Sequence, residues 1–140
     1  MRVKDIMTEG IRIAEREEAL PHAAKKMRTQ NIGALPVIEN GELVGMITDR
    51  DIVIRAVGLQ LDPALVKVGD IMSEVCFWCS ESEDVEDAVR IMEQYKLRRL
   101  PVKNDKEEIV GMLSLEDVAA HAPASLTGEV LKAIVSVEPA

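Results

Sequence analysis

The chain has 140 residues, 47% hydrophobic and 30% charged, a balance that supports a sizeable core and excludes a disordered polymer. Seventeen Lys and Arg against 25 Asp and Glu leave a net charge of −8, which repels phosphate backbones in bulk and disfavours a general nucleic-acid binder. Phe77, Trp78 and Tyr95 are the only aromatic residues, so the core is aliphatic and there is no stacking platform for single-stranded nucleic acid.

In chain order, the opening Val3-Lys4-Asp5-Ile6-Met7-Thr8 returns 65 positions later as Val68-Gly69-Asp70-Ile71-Met72-Ser73. Short strands are predicted at Ile11 to Ala14 and, in the second copy, at Val75 to Cys79. Ala19, Leu20, Ala23, Ala24 and Met27 have helical spacing, as do Val85, Ala88, Val89 and Met92. Pro21 falls in the first turn, where its missing N–H costs little, and Ser80 and Glu83 have the spacing of a capping box. Leu35 to Glu39, Asn40-Gly41 and Glu42 to Thr48 read as a hairpin, because both turn residues tolerate positive φ. Leu100 to Lys103 and Ile109 to Leu113 repeat it with a longer loop. A second helix closes each copy, at Asp49 to Val57 and at Leu115 to His121. After Ala122-Pro123, a short amphipathic helix from Thr127 or Gly128 through Val135 is expected to dock on its own chain or on a second one. Each copy is therefore β-α-β-β-α, and the fold class is α/β (α+β). Half the chain is marginal alone, so the two repeats are expected to pack face to face with pseudo-two-fold symmetry. The expected domains are 1–60 (first repeat), 61–122 (second repeat) and 123–140 (C-terminal extension).

Asp-Ile-Met, a helix, Leu35-Pro36-Val37 and then Gly45-Met46-Ile47-Thr48-Asp49-Arg50-Asp51, all duplicated, resemble the cystathionine-β-synthase (CBS) domain, and the tandem resembles a Bateman module. Ile32-Gly33-Ala34-Leu35-Pro36, Thr48 to Ile54 and the tail Leu131-Lys132-Ala133-Ile134 resemble stand-alone pairs of the hypoxic response protein type. The resemblance implies a non-catalytic regulatory module that takes AMP, ADP, ATP or S-adenosylmethionine in clefts between the repeats. It implies no obligatory cofactor, a homodimer, and a separate downstream protein as partner.

Thr48-x-x-Asp51 and Ser114-x-x-Asp117 each stand at a strand-to-helix junction. Free N–H groups there suit phosphate, the hydroxyl joins the phosphate contacts, and the acid one turn on can accept both hydrogens of a ribose diol. The same spacing is equally that of a ligand-free helix cap. Arg98 and Arg99 fall where the family often places phosphate-reaching cations, although arginines flanking a strand are commonly just solvated. The first repeat has Gly33 and Ala34 there, with Arg50 as a partial substitute. The cleft with Ser114 and Asp117 is therefore expected to bind the more tightly. Val75 and Cys76, or the first-repeat equivalent Ile11, would floor the base. Cys76-Phe77-Trp78-Cys79 offers two ligands where zinc needs about four. Structural thiols without metal are expected, against the alternative of zinc shared between chains.

His22 and His121 leave little for acid–base work, and neither a nucleophile triad nor a glycine-rich phosphate loop is present, so the chain is read as not an enzyme. No apolar run reaches the roughly 18–20 residues of a membrane helix, and Met1 to Asp5 lacks the start of a secretory signal. The expectation is cytoplasmic. Surplus apolar residues at Ile52 to Val57 and Val118 to Ala122 predict a homodimer contact through the second helices.

Overall fold

The computed structural model describes residues 1–74 and 77–136. The elements are α1 (Val3–Ile6), β1 (Thr8–Glu9), β2 (Ala14–Glu15), α2 (Leu20–Gln30), β3 (Ala34–Glu39), β4 (Glu42–Thr48) and α3 (Asp49–Asp51), which runs on as a π-helix, Ile52–Val57. A 3-10 turn, Pro63–Leu65, precedes α4 (Val68–Ile71), β5 (Cys79–Ser80), α5 (Val85–Tyr95), β6 (Arg99–Lys103), β7 (Ile109–Ser114), α6 (Leu115–His121) and α7 (Ala124–Val135). The fold is mixed α/β with two sheets, ordered β2-β3-β4 and β1-β7-β6-β5.

Two compact units result: a central one, Arg12–Cys76, and a split one made of Met1–Ile11 with Phe77–Ala140. The spatial units are thus not the sequence repeats, because the segment that opens each repeat is built into the other repeat's unit. Val3 and Ile6 lie in the core of the split unit beside Val89, Met92, Leu100 and Leu113. Val68 and Ile71 take the matching places beside Leu20, Leu35, Val37 and Ile47. The backbone repeats the arrangement. The Val3 N–H donates to the Glu83 carbonyl at 2.9 Å, and the Val68 N–H donates to the Glu18 carbonyl at 2.9 Å. Burying each such aliphatic side chain contributes about 1.5–3 kcal/mol, which holds these one-turn helices in place.

The hairpin turn is as expected, with Asn40 at φ 52° and Gly41 at φ 79°. Other boundaries move. Of the two predicted first strands, Val75 and Cys76 lie outside the described residues, and among the described ones Ala14–Glu15 pairs parallel with β3 and Cys79–Ser80 parallel with β6. The expected Ser80 cap is replaced by Asp84, whose carboxylate accepts the Glu86 N–H at 2.9 Å, so α5 starts a turn later. α7 starts three residues before the expected Thr127, with Pro123 at its N-cap. The central unit also buries an ion pair. Lys26 Nζ lies 2.8 Å from Glu18 Oε1 and donates to the Ile13 carbonyl at 2.7 Å. His22 Nδ1 stands 3.4 Å from Glu18 Oε2 without hydrogen-bond alignment.

Candidate functional site

Each hairpin delivers its last residue as a helix N-cap. In the split unit Ser114 has extended backbone, and its Oγ accepts the Asp117 N–H at 3.1 Å. Asp117 Oδ2 accepts the Ser114 N–H in return, at 2.9 Å. In the central unit Thr48 and Asp51 form the same reciprocal pair at 3.1 and 2.9 Å. Both predicted hydroxyl–acid motifs are therefore closed capping boxes. Each box uses Oδ2 of its carboxylate and leaves Oδ1 outside the capping bonds.

What meets Oδ1 differs between the units. In the split unit Thr8 Oγ1 donates to Asp117 at 3.1 Å (Oδ1) and 3.3 Å (Oδ2). Gly111 makes this approach feasible, because a Cβ there would lie 2.8 Å from the Thr8 carbonyl oxygen. Gly45 serves the same purpose for Ser73, which exchanges backbone hydrogen bonds with Met46. In the central unit Asp51 Oδ1 instead faces Arg55 Nε at 3.9 Å, one turn along its own helix. Arg55 is also turned inward, donating to the Ile71 and Met72 carbonyls at 3.2 and 3.3 Å. Sequence reasoning missed Thr8; its signal was the duplicated hydroxyl after each Asp-Ile-Met, Thr8 and Ser73.

The arginine offset is real in three dimensions. Arg99 is the register partner of Ser114, and the Leu115 N–H donates to the Arg98 carbonyl. Ala34 and Gly33 hold these two positions against Thr48 and Asp49. Arg98 is exposed and Arg99 half-buried, and neither guanidinium has a hydrogen-bond or ion-pair partner among the described residues. Arg50 is exposed on the first turn of α3, between Asp49 and Asp51. Ile11, half-buried, belongs to the split unit with Ser114, Asp117, Arg98 and Arg99. Thr48, Arg50 and Asp51 belong to the central one. Val75 and Cys76 lie outside the described residues.

The CBS domain model matches this chain twice, over residues 3–58 and 68–123. The chain belongs to the CBS-domain family. Hypoxic response protein 1 of Mycobacterium tuberculosis is 34% identical over 134 residues, covering 95% of this chain and 93% of that protein. A crystal structure of Hypoxic Response Protein I, with two coordinated zinc ions, superposes at a TM-score of 0.77 with 33% identity, covering 88% of this chain and all of that one. The CBS domain pair of protein MJ0100, in complex with 5′-methylthioadenosine and S-adenosyl-L-methionine, gives 0.75 at 29% identity over 86% of this chain and 94% of that one. CBSX2 in complex with AMP, a protein also solved from Arabidopsis thaliana, gives 0.70 at 25% identity over 86% of this chain and 95% of that one. This chain thus carries a CBS pair, similar to proteins some of which hold adenosine compounds.

Among the described residues no three His, Cys, Asp or Glu cluster to hold a metal. Cys79 is buried, and desolvation first, then the charge of Glu83, pushes its thiol up to about 12. That favours the protonated sulfur over the thiolate a metal takes. No helix among the described residues is long and apolar enough to cross a membrane.

Proposed function

We propose that this CBS pair is a non-catalytic sensor that binds an adenosine-containing ligand, of the AMP, ADP, ATP or S-adenosylmethionine class, and signals as a homodimer to a separate protein. The observation that carries the reading is that Arg99, opposite Ser114 on β6, and Arg98, just before that strand, have guanidiniums without a hydrogen-bond or ion-pair partner among the described residues. In an acidic protein such cations are the natural counter-charge for a phosphate. Asp117 Oδ1 is assigned the ribose hydroxyls, with Thr8 yielding its hydrogen bond as they arrive. Ser114 and the two arginines are assigned the phosphate, and Ile11 the apolar contact with the base. Thr48, Asp51 and Arg50 make a second and weaker site. AMP and S-adenosylmethionine in relatives support the ligand class.

A second reading is a ligand-free interaction dimer, favoured by the reciprocal backbone hydrogen bonds that occupy the hydroxyl and carboxylate of both boxes as helix caps. Calorimetric titration of AMP, ADP, ATP and S-adenosylmethionine decides between them. The sensor reading expects binding by the wild type, loss in Asp117→Ala and retention of the tighter phase in Asp51→Ala. Absence of heat with all four ligands supports the interaction dimer.

A further inference from the structure

We propose that the central unit carries a separate phosphate site: a cationic cavity between α2 and the segment before β2, which takes a phosphate group, free or as the end of a phosphomonoester. It is independent of the nucleotide reading above, because none of its residues belongs to either hydroxyl–acid box.

Helical spacing on α2 brings the site together. His22, Lys25, Lys26 and Thr29 fall at i, i+3, i+4 and i+7, on one face of the helix. With Arg12, from the stretch before β2, they line a cavity of about 200 Å³. Among the described residues that line it there is no carboxylate. Lys26 is only 9% exposed, and an ammonium is costly to bury unless its donors are used. Two of its three N–H groups serve the Ile13 carbonyl and Glu18 Oε1. The third is left for a ligand.

Other cations of the same unit are neutralised. Arg16 lies 3.7 Å from Glu39 and 3.1 Å from Glu74, and Lys67 Nζ donates to Glu17. Arg12 and Lys25, by contrast, have no hydrogen-bond or ion-pair partner among the described residues, in a chain whose net charge is −8. Glu18 does not neutralise them. One of its oxygens holds Lys26, and the other stands 3.4 Å from His22 Nδ1.

The second repeat shows how such a face is closed. The positions 65 residues on are Phe77, Asp87, Arg90, Ile91 and Gln94. There an isoleucine replaces the buried ammonium and an aspartate the histidine. Arg90 is held by Glu86, Glu93 and Glu129. Thus α5 spends its charge on its own unit, and α2 leaves it open.

Size and charge select the occupant. About 200 Å³ is below the roughly 300 Å³ at which pockets for drug-sized ligands begin, so the cavity encloses a compact anion and not a whole nucleotide. A guanidinium fork, two ammoniums and a hydroxyl can all donate to an acceptor with several oxygens. Two unpaired positive charges match a phosphate dianion better than a single carboxylate.

Titration of the intact 15N-labelled chain with sodium phosphate and with methyl phosphate tests this, at neutral pH and at ionic strength held constant with chloride. The Lys25, Lys26 and Thr29 amides and the His22 ring are expected to shift together and saturate, with a dissociation constant below about 1 mM for the better probe. Tighter binding of phosphate marks the free ion as the ligand, and methyl phosphate binding as tightly or more so marks a phosphomonoester. Arg12→Gln/Lys25→Gln, which alters two exposed side chains, is expected to raise the constant at least about tenfold with the circular dichroism spectrum unchanged. If that variant misfolds, Lys25→Gln alone replaces it, and an unchanged constant in the folded variant overturns the proposal. Shifts that stay linear with concentration mark an adventitious ion only and overturn it too. So does saturation confined to Arg98, Arg99 and Ser114, which leaves the nucleotide reading standing.

Discussion

The central and split units share a scaffold and differ in what they leave open. Both place an aliphatic pair from a one-turn helix against the same sheet positions, and both close a hydroxyl–acid box at the hairpin's end. They diverge beside the box, where Arg99 stands against Ser114 but Ala34 against Thr48. They diverge again at the helices, where α7 packs on α5 and α6 but α2 has only the 3-10 turn Pro63–Leu65 from the connector, and Val53, Ile54 and Val57 stay exposed. Duplication has preserved what folding requires and varied what a ligand or a second chain would touch.

The largest effect expected from exchanging residues between the units is at the buried ion pair. The position matching Lys26 is Ile91 in the split unit. Lys26→Ile alone leaves the Glu18 carboxylate, only 8% exposed, without its cation. The expected cost is about 3–5 kcal/mol by urea denaturation. Most of it is expected to return in Lys26→Ile/Glu18→Leu; a single variant as stable as wild type breaks the claim that the pair is structural. Next, Ile6→Ala and Ile71→Ala are each expected to lose about 2–5 kcal/mol, because a cavity opens in matching places of the two cores. A loss below about 1 kcal/mol for Ile6→Ala alone means that α1 is not integral to the split unit.

How much of this was legible in the sequence depends on the range of the interaction. Local signals served well: Asn40-Gly41 demanded positive φ and received it, and α6 spans Leu115–His121 as read. That Gly33 and Ala34 correspond to Arg98 and Arg99 followed from repeat arithmetic, whereas the pairing of Arg99 with Ser114 and of Ala34 with Thr48 is set by strand register. The π-helix was not legible, because the apolar run Ile52-Val53-Ile54 fits either period. Nor was Thr8, whose contact with Asp117 spans 109 residues and depends on exchange of the opening segments. Ser80 misled as a cap because Asp84, nearer the helix, competes for the same free N–H groups.

Smaller effects sharpen the comparison at the boxes. Ser114→Ala and Thr48→Ala are each expected to cost about 1 kcal/mol of thermal stability, the usual worth of an N-cap. Thr8→Val is expected to cost about 0.5–1.5 kcal/mol, whereas Ser73→Ala, which loses no side-chain bond to Asp51 among the described residues, stays near zero; equal costs contradict the assignment of Thr8 to Asp117. The smallest effect is chemical. Because burial raises the Cys79 thiol to about 12, the folded state holds that proton where the unfolded chain loses it near 9. Its contribution to stability is thus complete below pH 9 and declines as pH rises from 9 towards 12. Native Cys79 is expected to resist iodoacetamide at pH 8 and to react once urea unfolds the chain; rapid native labelling, located by peptide mapping, contradicts its burial.

The most direct test of the account is amide chemical-shift mapping as AMP is added to the 15N-labelled chain. The predicted result is that Arg98, Arg99, Ser114 and Asp117 shift at an AMP concentration at least about tenfold below that which moves Thr48 and Asp51, the margin expected from charge-assisted phosphate contacts. Movement of Thr48 and Asp51 first, or of neither group, contradicts it.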